Sequence, residues 1–465
     1  MTISLAGYAR DRDGNRVREA LVATFRRVMR LYFRDIERLG DAPGHDVRGR
    51  VFVANHTNAL IDPILVITDA ACEISPVAKS TLWSIPGLRW LLDRAGAVPI
   101  VRRVDTPAKA AASNADVFGK IAAHLGGGGN ILIFPEGTSH SEPHLAPLRT
   151  GAARMLVAAE ARITALAGRR SGAAAREPGG GQGGPDRVAP TFQAVGLEFD
   201  ARTDFRSRCL VLWGPVRKLA DVPGDGEDRV HAITAVMTAD LRDLLITGAS
   251  HDDRLRVARV AELLANDAGE RSLGAWSGIG RQVELAHRTL RSVDAALVAR
   301  VAERVDAYYA ALEQLGVVDG QVAGTAPRGG PPASPAASAP AWQRAALAPL
   351  AAAGFALYAI PYFLPRWIAR SSDPDAVSTI KLGAALVVYP VWAAGLVAGS
   401  LVLLPPPLSL LAAAVALASP FAALRWLDAW YQRTRDATPD ELARLARLRR
   451  AACAAIDEAR SRLPS

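Results

Sequence analysis

The sequence predicts an α/β fold, a mixed sheet covered by helices, followed by a helical extension and a C-terminal membrane helical hairpin. Short apolar runs alternate with helical patterns in the first half of the chain. No charged residue occurs from 382 to 424. The chain has 465 residues, about three times the usual length of one domain, so more than one structural unit is expected. Half of the residues are hydrophobic and 22% are charged, which excludes a disordered chain.

The first segment, residues 1–40, is predicted to form an amphipathic helix. From Val17 to Leu39 the apolar residues recur at steps of three and four, and six arginines fall between Arg18 and Arg38. Such a helix either packs on the folded domain or lies on anionic lipid. No apolar run precedes its arginines, so a cleavable signal peptide is not expected.

Residues 41–225 are predicted to form the α/β domain. Apolar runs typical of buried strands occur at 50–55, 97–101, 130–134, 192–199 and 209–213. Helical patterns lie between these runs, at 106–125 and 152–166. The stretch 168–186 is rich in Gly, Pro, Ala and Ser, and it is expected to be a flexible insertion because strand-like sequence resumes after it.

The rest of the chain is helical, then flexible, then apolar. Residues 226–319 form the predicted helical extension, and 320–341 is a predicted disordered linker with the same Gly, Pro, Ala and Ser bias as the insertion. A membrane region is predicted at 342–436. The last segment, 437–465, is predicted to be an amphipathic helical tail.

The membrane region is predicted to enter the bilayer from the cytoplasm. Its uncharged run is too long for one crossing and is interrupted by three prolines, which favours a transmembrane hairpin of 382–404 and 408–424. Lys381 before the hairpin and Arg425 after it place both ends in the cytoplasm, with the α/β domain on the cytoplasmic face. The proline-punctuated run 345–365 is expected to be re-entrant or interfacial. Richness in Arg and Ala favours a bacterial inner membrane.

Charge and cysteine content limit the partners. The chain has 55 Lys and Arg against 46 Asp and Glu. With membrane segments present, this balance favours anionic lipid or phosphate over nucleic acid, and no basic patch interleaved with aromatic residues argues otherwise. The three cysteines lie far apart and predict neither a disulfide framework nor a metal site. The glycine run 126–129 precedes a strand, which is unlike a dinucleotide fingerprint.

A histidine and an aspartate follow the first predicted strand of the α/β domain. The block from Asn55 through His56 to Asp62 begins where that strand ends, and α/β folds place their reactive groups there. Histidine is a natural general base near neutral pH, and a carboxylate fixes its tautomer and stabilises the imidazolium. Taken alone, the pair is also compatible with a structural or capping role.

Three further blocks give this pair its context. Gly96 and Arg102 bracket a strand, which puts a guanidinium where it is able to clamp a phosphate. The block Phe134–Gly137 follows another strand, and its Pro and Gly shape a loop that approaches an anion closely. An apolar strand next to Pro190 is the last block.

These four blocks, in this order, resemble the glycerolipid acyltransferase superfamily of glycerol-3-phosphate and lysophosphatidate acyltransferases. His56 and Asp62 match its first block, with five residues between them where the commoner family pattern has four. A longer gap ending in Asp-Pro resembles the fungal-type glycerol-3-phosphate/dihydroxyacetone-phosphate acyltransferase subgroup. The pairs Ala78-Lys79 and Ser139-His140 are also similar to that subgroup.

The resemblance implies the glycerolipid acyltransferase fold and a membrane-bound O-acyltransferase of phospholipid biosynthesis. His56 would take a proton from a hydroxyl of glycerol-3-phosphate or dihydroxyacetone phosphate, while the oxygen attacks the thioester of acyl-CoA or acyl-ACP, and Asp62 would orient the imidazole. Arg102 would pair with phosphate, and Glu136 would orient hydroxyls or neighbouring cations. The implied substrate-binding residues are Asn55, Lys79, Arg102, Phe134, Pro135, Glu136 and Gly137.

Two alternatives remain open at this point. The same blocks serve a lysophosphatidate acyltransferase, whose acceptor already carries one acyl chain. A non-catalytic lipid-binding membrane protein is the alternative from another class, and the presence of His56, Asp62, Arg102 and Glu136 argues against it. No metal or cofactor is implied beyond the acyl-thioester co-substrate.

Overall fold

A computed structural model of the chain describes seven stretches of sequence. They are 12–85, 87–101, 107–174, 188–323, 341–373, 376–431 and 437–463. Arg102, most of the predicted insertion and most of the predicted linker lie outside the described residues.

The described residues form one mixed sheet of seven strands, which confirms the predicted fold class. The strands are β1 (Asp35–Leu39), β2 (Arg50–Ala54), β3 (Ser75–Lys79), β4 (Val98–Ile100), β5 (Ile131–Ile133), β6 (Thr191–Phe199) and β7 (Arg208–Lys218). Their order across the sheet is β1-β7-β6-β2-β5-β3-β4. The five strands from β6 to β4 are parallel, whereas β7 runs antiparallel to β6 and pairs in parallel with β1.

Helices cover both faces of the sheet. The helices of this domain are α1 (Arg12–Tyr32), α2 (Ile61–Asp69), α3 (Leu88–Arg94), α4 (Pro107–Gly126) and α5 (Gly151–Ala174). Alternate residues of β2 point to opposite faces. Val51 and Val53 therefore pack in the core beneath α4 and α5, while Phe52 and Ala54 pack in the core beneath α1 and α2.

The structure differs from the sequence prediction at two places in this domain. The predicted helix over 17–39 ends at Tyr32, because the edge of β7 offers a hydrogen-bonding partner and residues 35–39 form β1 there. The periodicity of residues 17–39 does not show that the edge of β7, which is distant in sequence, lies beside them. The predicted insertion 168–186 begins with seven residues of α5, whose Ala and Arg are good helix formers.

The helical extension contains five helices among the described residues. They are α6 (Gly226–Leu244), α7 (His251–Asp267), α8 (Leu273–Val293), α9 (Ala295–Leu315) and α10 (Asp319–Val322). The short α10 lies at the start of the segment predicted to be a disordered linker.

The apolar region that follows forms four helices. They are α11 (Ala341–Leu357), α12 (Ala359–Ala369), α13 (Val377–Leu403) and α14 (Leu408–Tyr431). Of these, α13 and α14 are each long and apolar enough to cross a bilayer, while α11 and α12 together form a pair bent by 46°, as in a broken span or a re-entrant loop. Gly354 allows α11 to approach α14 closely, because a Cβ there would lie 2.3 Å from the Ser419 carbonyl oxygen.

The C-terminal helix α15 (Pro439–Ser461) returns to the helical extension. Leu445 and Ala452 are buried against Tyr308 and Leu312 of α9. The apolar region is therefore bracketed by two segments that pack on each other.

Candidate active site

The carboxyl ends of the parallel strands meet at one edge of the sheet, and the predicted motifs lie there. His56 follows β2 by two residues, and the Phe134–Gly137 loop follows the neighbouring strand β5. Since adjacent parallel strands end at the same edge, two blocks about eighty residues apart in sequence become neighbours.

His56 and Asp62 form a hydrogen-bonded pair. Asp62 lies in the first turn of α2, has no exposed side-chain surface, and its Oδ2 is 3.0 Å from Nδ1 of His56. The same oxygen accepts the backbone amides of Thr57 and Asn58, each at 2.7 Å. An ionised carboxylate only accepts hydrogen bonds, so the proton sits on Nδ1 and leaves Nε2 with a lone pair for a substrate proton.

The Phe134–Gly137 loop packs against His56 and accepts a hydrogen bond from its backbone amide. Phe134 stacks on the imidazole, with ring centroids 4.1 Å apart and planes at 22°. Glu136 is buried; it accepts the His56 amide at 2.8 Å and the Ala146 amide at 3.0 Å, and it pairs with His140. Its carboxylate thus contacts protein donors, and the pairing with His140 fits the predicted role of orienting a neighbouring cation.

Asn55 is also buried, and its side chain forms hydrogen bonds to the backbone of another strand. Its side-chain amide donates to the Leu197 carbonyl at 3.1 Å, and its oxygen accepts the Leu197 amide at 2.8 Å. This two-way link ties the end of β2 to the end of β6. Asn55 therefore fixes where the chain turns into the His56 loop.

Gly137 brings a cation close to the loop backbone. Its φ of +80° is in the region that favours glycine, and a Cβ there would lie 2.6 Å from Nε of Arg149. The Arg149 amide donates to the Pro135 carbonyl at 2.8 Å, which fixes the position of this arginine beside the loop.

A cavity of about 1250 Å³ opens in front of His56. One wall is apolar and is built by side chains of α1, α2 and α3, among them Leu21, Phe25, Ile64, Leu88 and Leu91. The other wall contains Phe134, Pro135, Gly137, Thr138 and Ser139.

Cations line this cavity, and two of them pair with carboxylates outside the lining: Arg18 lies 3.8 Å from Glu73, and Arg154 donates two hydrogen bonds to Glu227. Arg18, Lys79, Arg149 and Arg154 are among its lining residues, and the described lining residues include no Asp or Glu. An apolar wall, a histidine and a cationic lining are the features expected of a site that receives a fatty acyl chain together with a phosphate.

Sequence reasoning missed Arg202. Its guanidinium donates to the Thr57 carbonyl at 2.9 Å and to the Ser141 hydroxyl at 2.7 Å, which joins the His56 loop to the Phe134–Gly137 loop. No motif marks Arg202, because its partners lie 145 and 61 residues away in sequence.

Two of the three cysteines, Cys72 and Cys209, are buried. Burial raises the pKa of the Cys72 thiol to about 11 and that of Cys209 well above its usual value, so neither supplies a thiolate nucleophile near neutral pH. Among the described residues, no group of three His, Cys, Asp or Glu is arranged to hold a metal ion.

A family model covers the part of the chain that contains the His56–Asp62 pair. Residues 36–167, which include His56, Asp62 and the Phe134–Gly137 loop, match the family model named Acyltransferase. No curated protein matches the chain. Among solved structures, the 1-acyl-sn-glycerophosphate (LPA) acyltransferase PlsC from Thermotoga maritima is similar, with 14% identity, a TM-score of 0.31, and coverage of 50% of this chain and 83% of that chain.

Proposed function

We propose that this acyltransferase moves a fatty acyl group from acyl-CoA or acyl-ACP to a hydroxyl of glycerol-3-phosphate or dihydroxyacetone phosphate. The observation that carries the proposal is the His56–Asp62 pair at the wall of an apolar cavity lined by cations. The product would be a lysophospholipid precursor of phospholipid synthesis.

The reaction proceeds by direct acyl transfer. Nε2 of His56 takes the proton of the acceptor hydroxyl as its oxygen attacks the thioester carbonyl. The imidazolium formed is stabilised by Asp62 through Nδ1, 3.0 Å away. As the tetrahedral intermediate collapses, the carbon–sulfur bond breaks and the departing thiolate takes the proton from Nε2.

Different parts of the cavity bind different parts of the substrates. The apolar wall of α1, α2 and α3 takes the acyl chain, since burial of apolar surface is worth roughly 25 cal/mol per Å². Lys79 and Arg149 attract the phosphates of the acceptor and donor. Arg102, outside the described residues, is proposed to join them because it matches the motif arginine of the resembling family.

The reaction is proposed to take place at the cytoplasmic surface of a bacterial inner membrane. Helices α13 and α14 are long and apolar enough to form the anchoring hairpin. Lys381 and Arg425 flank its uncharged core, and the positive-inside rule places both on the cytoplasmic side, where acyl thioesters are made. A lipid product then leaves directly into the bilayer.

An acceptor panel tests the proposal. The full chain is purified in detergent and incubated with radiolabelled acyl-CoA or acyl-ACP and with glycerol-3-phosphate, dihydroxyacetone phosphate, lysophosphatidate or glycerol. We expect label in the acylated product of the first two acceptors, and little with glycerol, which lacks the phosphate. If only lysophosphatidate is acylated, lysophosphatidate replaces glycerol-3-phosphate as the acceptor. If no acceptor is acylated, the result favours a lipid-binding protein without catalysis.

A further inference from the structure

The first turn of α13 contacts the loop that carries the catalytic pair. Oγ1 of Thr379 accepts the backbone amide of Leu60 at 2.9 Å, although 319 residues separate the two in sequence. Thr379 also lines the cavity, as do Ala59 and Leu60. The helix predicted to anchor the protein thus contributes a wall residue to the site.

The contacted turn has an unusual backbone. Ala59 has a φ of +28°, in the region that non-glycine residues rarely adopt. The Ile61 amide donates to the Asn58 carbonyl at 2.8 Å, which closes a tight turn around Ala59 and Leu60. This turn lies between His56 and Asp62, so its conformation decides whether the carboxylate reaches the imidazole.

Further contacts fix the base of α13 on the same domain. The Ser378 hydroxyl donates to the Arg202 carbonyl at 3.1 Å, and Lys381 donates to the Thr203 carbonyl at 2.9 Å. Leu382 is only 3% exposed and belongs to the core beneath α1 and α2.

The end of α14 contacts the 201–206 loop, whose carbonyl groups also bind the base of α13. Arg206 donates from Nε to Oδ1 of Asp428 at 2.7 Å; Asp428 is buried and Arg206 is largely covered. The hairpin is therefore joined to the catalytic domain at both of its ends, through the 201–206 loop.

We propose that Thr379 is a positioning residue of the active site, so that the membrane hairpin completes the catalytic loop in addition to anchoring the protein. By accepting the Leu60 amide, Thr379 holds the Ala59–Leu60 turn and with it the spacing of His56 and Asp62. The proposal rests on the proposed function for its kinetic consequence, whereas its structural consequence is measured separately.

Two substitutions of Thr379 separate the hydrogen bond from packing. Thr379→Val keeps the shape and removes the acceptor oxygen; Thr379→Ser keeps the oxygen. We expect Thr379→Val to lower kcat about 10-fold with KM changed by less than about 3-fold, because misplacing a catalytic group slows the chemical step. Thr379→Ser restores kcat. Thr289→Val, in α8 and not part of the cavity lining, is the matched control and is expected to keep the wild-type rate.

Hydrogen–deuterium exchange of the full chain in detergent gives a readout independent of activity. Thr379→Val is expected to speed exchange in the peptide that covers 58–66, and Thr379→Ser and Thr289→Val are not. Unchanged exchange there, or wild-type kcat in Thr379→Val, would overturn the proposal. A wild-type chain without acyl transfer would defeat the proposed function alone, while the exchange experiment would still decide the role of Thr379.

Discussion

Two aspartates with no exposed side-chain surface, Asp62 in the α/β domain and Asp319 in the helical extension, lie in very different surroundings. Asp319 accepts hydrogen bonds from the Tyr308 hydroxyl at 2.6 Å, the Asn266 amide at 2.6 Å and Nε of Arg449 at 2.8 Å. These partners come from α7, α9 and α15, so Asp319 ties the C-terminal helix to the extension.

Asp62 has partners of another kind. Two are backbone amides, which never change charge, and the third is an imidazole, a group that is able to accept and donate a proton in general acid–base catalysis. Arg449, in contrast, stays charged in any physiological condition. The imidazole of His56 also faces a cavity of about 1250 Å³. A buried carboxylate therefore marks a catalytic site only when its partner is able to exchange a proton with a substrate bound in a neighbouring cavity.

The largest expected effect is on catalysis when Asp62 loses its charge. Asp62→Asn keeps the size of the side chain but no longer stabilises an imidazolium, and the wrong tautomer of His56 becomes available. We expect kcat to fall roughly 10²- to 10⁴-fold with the Tm changed little. Steady-state acyl transfer and thermal unfolding of the same preparation measure both quantities; a kcat within a factor of three of wild type would remove Asp62 from the mechanism.

For Asp319 we expect the opposite pattern, a lower Tm with little change in kcat. Asp319→Ala leaves Tyr308 and Arg449 without their shared acceptor, and breaking such a buried pair costs about 3–5 kcal/mol. The Tm should therefore fall, while kcat per folded molecule should stay at the wild-type value below the transition. Arg449 keeps Asp267 as a partner at 2.6 Å, which moderates the loss. A large drop in kcat at a temperature where the variant is folded would contradict the contrast.

Cys453 reports on the packing around Asp319. Burial raises the pKa of its thiol to about 11, so at pH 8 its thiolate fraction is well below that of a free thiol. Alkylation with iodoacetamide should be slow in the wild type and rise about tenfold per pH unit below that pKa. Asp319→Ala should accelerate it by loosening α15. Equal rates in folded and unfolded wild type would show that α15 does not pack as described.

The smallest expected effect concerns substrate affinity. Arg149→Gln removes a cation from the cavity lining while leaving the His56–Asp62 pair in place. We expect the KM for the phosphorylated substrates to rise about 10-fold, with kcat changed less. Arg217→Gln, whose guanidinium pairs with Asp240 away from the cavity, is the matched control. Equal KM values in the two variants would place the phosphate elsewhere.

The site could be predicted from sequence where its parts are local. The resemblance implied that Asp62 orients His56, six positions away after a buried strand, and the mixed sheet was expected from the alternation of strands and helices. Arg202 and Thr379 were missed because they act on the catalytic loop from 145 and 319 residues away. For Glu136 the sequence left open whether it orients hydroxyls or neighbouring cations, because sequence does not show that its carboxylate turns toward the His56 amide.

Acyl transfer by His56→Ala is the most direct test of the account. The full chain and this variant are purified in the same detergent, and transfer of labelled acyl groups from acyl-CoA to glycerol-3-phosphate is measured at equal concentrations of folded protein. The account predicts transfer by the wild type, a loss of at least about 10²-fold in His56→Ala, and equal Tm values. A variant that retains nearly the wild-type rate would contradict the assignment of His56 as the general base.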